Sequence, residues 1–544
     1  MNVYTKKQTS ADALPVEEIY LTPSSREATV SKLLEDAKAA KSGTEQYFQK
    51  MRSYYDGTHT TESYTGGFLS AADLPWRPAC VPDGYMHVES QIDVTAPDFE
   101  FSGREEADSE KAKLREQVVR FVCDGAELER KNAENERRLN IFGSAVWKVG
   151  IASSGNIGVS VDDPSPEAIY PDPSATDVDS CEYIGYVYSM SRLKASRVFE
   201  RDLVRAGIDL SDVVPGDGMS DSVDVVEWWY RQPVDGEYDV EAIRDGKTEK
   251  ITCKYYAGDV AFSIFIGGRE VRNVPKFWQT TDCDMFPFVI YSKTPRDGSV
   301  WGKSELEPII PLIDAADRQL ALAQLNTAFS ANDVVVYEEN AFSPDSYPDN
   351  TPGAVWKLRP GMIDKVKRLG SLASDNSAHY EIVEKFRTLM KEALGNYDYL
   401  QGSAASRVTT ATGLALLSDR ASKRMNAKNV CKKAGFERLY RLIDYLALEV
   451  FDEQALYLII GDKNVTYGFG KSGYLPEIDV TVNVGDGVEN SRSFTLSALS
   501  ELISMSVNEE NYPIVRAYVE SLGIPERTEI CKMLDTRYEK KEED

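Results

Sequence analysis

Apolar residues first recur at a clear period near the N-terminus. Val30, Leu33, Leu34 and Ala37, then Tyr47, Phe48, Met51 and Tyr54, predict a helix over 29–55 that ends near Gly57. Residues 58–88 are rich in Gly, Pro, Thr and Ser and predict a loop. Leu114, Val118, Phe121, Val122, Leu128 and Leu139 restore helical spacing across 104–141, with Gly125 as a break. From Ser144 the period falls to two. Strands are expected at 144–151, 157–162, 183–190, 223–231, 238–244, 250–256, 260–266, 270–274 and 286–291. Asp245-Gly246 and Gly267-Gly268 between alternating runs are hairpin signals. One helix, about 191–206, interrupts the strands and stops at Gly207.

Beyond 304 the pattern is mainly helical. Ser304-Glu305-Leu306-Glu307 fits the S-x-x-E capping box, in which Ser304 and Glu307 would cap a helix running to about Asn332. Pro311 should kink its first turns, so its start lies nearer Asp314. A short β-like insert at 333–370 precedes a second helix at 377–394. A loop at 396–410 then leads into a very long helix, about 411–451. Strand pattern returns at 463–484 and helical pattern at 493–544.

Composition narrows the chemistry. The 544 residues carry 62 Lys+Arg against 88 Asp+Glu, a net charge of −26, so any basic surface is local. Three histidines, His59, His87 and His379, stand far apart, which argues against a His-rich metal site. Seven cysteines without a C-x-x-C pair read as thiols of a reducing compartment. No apolar h-region follows Met1 and no apolar run reaches membrane-spanning length, so neither signal peptide nor transmembrane helix is expected.

The candidate motifs for catalysis are weak. Gly302-Lys303-Ser304 and Gly470-Lys471-Ser472 lack the upstream glycine of a phosphate loop, since 297 is Asp and 465 is Val. Asp162, Asp163, Asp172, Asp177 and Asp179 do not follow cation-loop offsets and lie among prolines. Asp314 and Asp317, at i,i+3 on a helix, read as solvated or paired with Arg318. The long helix says more. Between Arg407 and Arg441 nine basic residues meet two acidic ones, and Arg420, Arg424, Lys428 and Lys432 follow at i+4 as a basic stripe. That stripe is suited to carboxylates of this or a neighbouring chain, or to phosphates contacted without sequence preference.

The order of elements resembles tailed-bacteriophage portal (head–tail connector) proteins. The resemblance rests on Trp301-Gly302-Lys303-Ser304-Glu305-Leu306-Glu307 with Leu312–Arg318, on Thr409-Thr410-Ala411-Thr412-Gly413-Leu414-Ala415-Leu416, and on Ile141–Val149 with Ile169–Pro173. It covers most of 100–500 and implies an α+β ring subunit. A β-rich wing would occupy 1–300, a first stem helix 301–332, a clip 333–370 and a second stem helix 371–395. A tunnel loop would follow at 396–412, then a long kinked wing helix with returning strands at 413–490 and a helical crown at 491–544. The implied function is a structural, non-enzymatic channel for double-stranded DNA at one capsid vertex of the virion, usually a homododecamer. It would be assembled in the host cytoplasm with major capsid and scaffolding proteins, without cofactor, metal or membrane, and would dock the large terminase and later a head–tail adaptor. The alternative is another head–tail joining or minor capsid protein. The implied DNA-channel residues are Arg407, Thr409, Thr410, Arg420, Arg424 and Lys428. Lys357, Arg359, Lys365, Lys367 and Arg368 would form a docking surface on the clip.

Overall fold

The computed structural model describes residues 20, 22–59, 80–92, 94–104, 108–151, 158–210, 221–244, 247–281, 283–331, 334–344, 346, 356–369, 376–394, 411–451, 459, 478–483 and 515–516, with backbone only at 240–251, 328–335, 368–369 and 411–428. The elements run α1 (Pro23–Tyr55), α2 (Asp83–Ser90), β1 (Asp98–Gly103), α3 (Ser109–Gly125), α4 (Leu128–Phe142), β2 (Ala145–Ile151), β3 (Val159–Asp162), β4 (Ile169–Pro171) and β5 (Tyr183–Ser191). They continue with α5 (Arg192–Val198), α6 (Glu200–Ala206), β6 (Ser222–Arg231), β7 (Gly236–Arg244), β8 (Lys247–Tyr255), β9 (Val260–Ile266), β10 (Arg269–Val274) and β11 (Phe288–Tyr291). The remainder are α7 (Ile310–Ala331), β12 (Val334–Tyr337), β13 (Val366–Leu369), α8 (Ser377–Leu394), α9 (Ala411–Val450) and β14 (Ile478–Asn483).

Helix boundaries follow local chemistry. Helix α1 starts at Pro23, earlier than its apolar pattern suggests, because Thr22 accepts the Ser25 N–H while Ser25 bonds back to the Thr22 backbone. The break between α3 and α4 falls at Glu127, held at φ 52°. The single helix expected at 191–206 is two short ones, because Phe199 leaves helical geometry between them. Helix α2 replaces part of the loop expected at 58–88.

Five strands form an antiparallel sheet in the order β10-β9-β6-β5-β4. Period-two alternation gives it two apolar faces. Val223, Val225, Ile264 and Ile266 meet Phe199 and Leu203 of the α5–α6 pair, whereas Trp228, Tyr230, Ala261 and Phe265 meet Val30 and Ala37 of α1. Arg26 fastens α1 to this sheet through a bidentate pair with Glu270 at 2.7 and 2.8 Å. A second sheet, β11-β2-β3, brings the end of the β-rich segment back beside its beginning. Strands β7 and β8 make a separate ribbon, paired from Gly236↔Tyr255 to Arg244↔Lys247. The main core joins α1, α3, α4, β2 and β11 to the C-terminal half of α9, whose Phe436, Leu439, Leu442, Ile443 and Leu446 are fully buried or nearly so. Beside α9, β14 pairs antiparallel with β1, from Asp98↔Asn483 to Gly103↔Ile478. Of the strand pattern expected at 463–484, only β14 lies among the described residues, and of the helical pattern at 493–544 only 515–516.

Candidate functional site

The segment 301–394 leaves the body, turns and returns. Its departure point is a socket built from two glycines. Gly143 ends α4 at φ 83°, and a Cβ there would collide with the backbone of Lys303 and Ser304. A Cβ at Gly302 would likewise strike Ser292 and the Gly143 carbonyl. The Gly302 N–H donates to Ser144 Oγ at 2.8 Å, and Ser304 Oγ donates to the Asn140 carbonyl at 3.1 Å. The Lys303 N–H is taken by the Thr294 carbonyl and its side chain is exposed. The Gly-Lys-Ser tripeptide is thus a crossing of two chain segments, with its amides already occupied.

The expected capping box does not form. Ser304 Oγ accepts from the Leu306 N–H instead, at 3.0 Å. Glu307 accepts from Tyr47 Oη at 2.8 Å, and Tyr47 Oη also accepts the Ser304 N–H at 2.8 Å. A single 3₁₀ turn over Glu307–Ile309 precedes α7, so Pro311 sits in the first turn of the helix, where its missing N–H costs nothing. The α-helix begins at Ile310, between the cap expected at Ser304 and the start expected near Asp314. Tertiary contacts have outcompeted the local cap.

Body contacts pin the first turns of α7. Tyr54 Oη donates to Asp314 Oδ1 at 2.7 Å. Asp317 is fully buried, with its Oδ2 2.7 Å from His59 Nε2 and its Oδ1 accepting the Val81 N–H at 2.7 Å. The pairing expected with Arg318 is replaced by this inward one. Cys80 places its sulfur in the same cluster. Helix α8 then returns antiparallel along α7. His379 Nδ1 lies 2.7 Å from Gln319 Oε1, and Asn376 Nδ2 donates to Thr327 Oγ1 at 2.9 Å. Just past its midpoint, Arg387 pairs with Asp83 at 3.2 Å. Val383 and Met390 are buried, while Tyr380, Ile382 and Leu389 face outward.

Between the two helices, β12 and β13 pair from Val334↔Leu369 to Tyr337↔Val366. Phe342 seats a small aromatic cluster with Tyr337 at 4.8 Å and Trp356 at 6.0 Å. Lys357, Arg359, Lys365 and Lys367 are all exposed around it, and Lys365 reaches Glu338 at 2.6 Å. Arg368 has its backbone in β13.

The basic stripe of α9 is divided. Lys432 is buried against Glu136 at 2.8 Å, and Lys293 approaches the same carboxylate at 3.5 Å. Arg438 pairs with Asp179 at 2.6 Å. Four residues beyond Lys432, at Phe436, α9 meets Trp147 and Tyr291 edge-on, and a Cβ at Gly435 would strike the Tyr291 ring. Further along, Asp444 pairs with Arg115 in the core, and burial raises its carboxyl pKa against the lowering effect of that arginine. Arg420, Arg424 and Lys428 lie on the α9 backbone with undescribed side chains, and Arg407, Thr409 and Thr410 lie outside the described residues. Sequence reasoning missed Glu136, Arg115 and Asn140. They are polar residues on amphipathic helices, and only their distant partners reveal that they point inward.

A helical hairpin tipped by a small β insert is thus rooted in a β-rich body and followed by a long helix whose C-terminal half is buried in the main core. The family model described as phage P22-like portal protein matches residues 87–466, and the chain belongs to that family. The family is a structural one, so the chain is a portal protein of a phage-type virion. No curated protein matches the chain. Among solved structures, it is similar to a chain titled "Virion of native gene transfer agent (GTA) particle". The identity is 10% and the TM-score 0.33, covering 82% of this chain and 90% of that one. Among the described residues, no helix is long and apolar enough to cross a membrane.

Proposed function

We propose that this portal subunit assembles into a ring of twelve at one capsid vertex and conducts double-stranded DNA during packaging and ejection. In this reading α7 and α8 are the stem, the 334–369 insert is the clip, and the sheets with α9 are the wing. The loop before α9 faces the channel, and the C-terminal residues face the capsid interior. The observation that carries the reading is the α7–α8 hairpin, fixed to the body at its base and presenting four exposed cations at its tip.

Docking follows from that tip. Among the described cations of the insert only Lys365 has an ion pair, and it is half exposed. Exposed cations of this kind suit acidic surfaces of a large terminase and, after packaging, of a head–tail adaptor. Assembly in the host cytoplasm would engage major capsid and scaffolding proteins through the wing. Channel contacts would be sequence-independent phosphate contacts from Arg407, Thr409, Thr410 and the N-terminal half of α9, including Arg420, Arg424 and Lys428.

Electron microscopy of the purified protein tests the ring. End-on class averages should give a hollow twelvefold particle of about 728 kDa, twelve times 60.7 kDa. A closed dimer or tetramer without a channel would overturn the proposal. Arg407→Ala tests the channel assignment, because it should leave rings intact while lowering packaged DNA. Loss of ring formation in that variant would place Arg407 in the assembly interface instead.

A further inference from the structure

We propose that His59, Cys80 and Asp317 form a metal site of the zinc class that fastens the base of α7 to the end of α1. One ligand atom from each residue is available, and all three lie within 4.8 Å of one another. The set combines imidazole nitrogen, thiol sulfur and carboxylate oxygen, the borderline-soft mixture that suits zinc rather than calcium or magnesium.

The surroundings fit ligation. Asp317 and His59 are 0% and 4% exposed, so their polar atoms must be satisfied inside the protein. A divalent ion with a Cys80 thiolate would make the cluster electrically neutral, with release of the thiol proton. The outer partners are in place. His59 Nδ1 faces the Ser53 carbonyl at 3.4 Å, so a proton held there would leave Nε2 free as a ligand. Asp317 Oδ1 is held by the N–H of Val81, the residue next to Cys80, which leaves Oδ2 turned toward His59. The Tyr54 ring stacks on His59 at 4.1 Å and fixes the imidazole plane. With zinc–ligand bonds of about 2.0–2.3 Å, ligand atoms sit roughly 3.2–3.8 Å apart. Closing the sulfur by about one ångström and opening the His59–Asp317 contact by about half an ångström gives that geometry. The fourth position is left to water.

The ligands come from three separated stretches of chain. A zinc ion there would tie together the tail of α1, the approach to α2 and the second turn of α7. The same stretches already hold the second turn of α7 through Asp317.

The test uses full-length protein purified without chelator, loaded with zinc, desalted and assayed for metal by mass spectrometry. About one zinc per chain is expected, with a loss of at least tenfold in zinc affinity for Cys80→Ser. Cobalt loading should give a thiolate-to-cobalt charge-transfer band in the wild type that Cys80→Ser lacks. Cys80→Ser is nearly isosteric at a half-buried position, so circular dichroism should show a folded chain. If it does not fold, the cobalt band of the wild type decides alone. Zinc near zero in the loaded wild type, or a cobalt spectrum without the thiolate band, would overturn the proposal and leave His59–Asp317 a hydrogen-bonded pair.

Discussion

Lys432 in α9 and Lys365 in the β insert each meet one glutamate, at 2.8 and 2.6 Å. The distances are alike and the settings opposite. The Lys432 side chain is 4% exposed and its Glu136 partner 1%, while Lys365 and Glu338 are 50% and 60% exposed. Water screens the second pair, so little energy depends on it. The first pair is shut off from solvent, and removing one partner leaves the other buried charge without its counter-ion. Lys432 therefore acts as an internal fastener, and Lys365 remains open to other molecules. Charge counted along the sequence does not separate the two uses.

Glu136→Ala attacks the buried side directly. It removes the carboxylate that both Lys432 and Lys293 approach, and should cost about 3–5 kcal/mol, read as a lowered denaturation midpoint. An effect below about 1 kcal/mol would mean that water reaches the pair, and the contrast would collapse. Gly143→Ala comes next. It forces a side chain into left-handed backbone against Lys303, and the backbone penalty alone is about 1–2 kcal/mol. A smaller loss, about 1 kcal/mol for one removed hydrogen-bonding side chain, is expected for His379→Ala. It should appear as faster amide exchange in the first turn of α8, with the body unchanged. Lys365→Ala should shift stability by about 0–1 kcal/mol. A visible loss of thermal stability there would make the insert pair structural and weaken its role in docking.

Much of this architecture was legible in hydrophobic periodicity. The α3–α4 break, the β9–β10 hairpin at Gly267-Gly268 and the long α9 all show in local spacing, because each is decided by neighbours within a turn or two. Glu136 was not legible. Surrounded by Glu134, Arg137 and Arg138, it reads as one more charge on a polar helix face until Lys432 closes on it from 296 residues away. Ser304 was misread for a related reason. Its hydroxyl suits a cap, but Tyr47 Oη, from a distant helix, takes both the Ser304 N–H and the Glu307 carboxylate that would have completed the box. Strand β1 escaped notice because Asp98-Phe99-Glu100-Phe101 is short, and its only described partner is β14. Of the candidate site, the exposed insert lysines follow from sequence because exposure is the default for lysine. The buried fate of Lys432 does not.

The pairing of β1 with β14 bears on how the protein is made. Phe99 and Val482, opposite each other in that ladder, are separated by most of the chain. During synthesis β1 emerges early and stays an open edge, with unmet amide and carbonyl groups, until β14 leaves the ribosome. Closing so long a loop is entropically slow, so this ladder completes late in folding. A chain truncated before Ile478 would keep that edge exposed and be marked for aggregation or proteolysis. The β1–β14 ladder thus makes closure of this part of the body depend on two stretches near opposite ends of the family match.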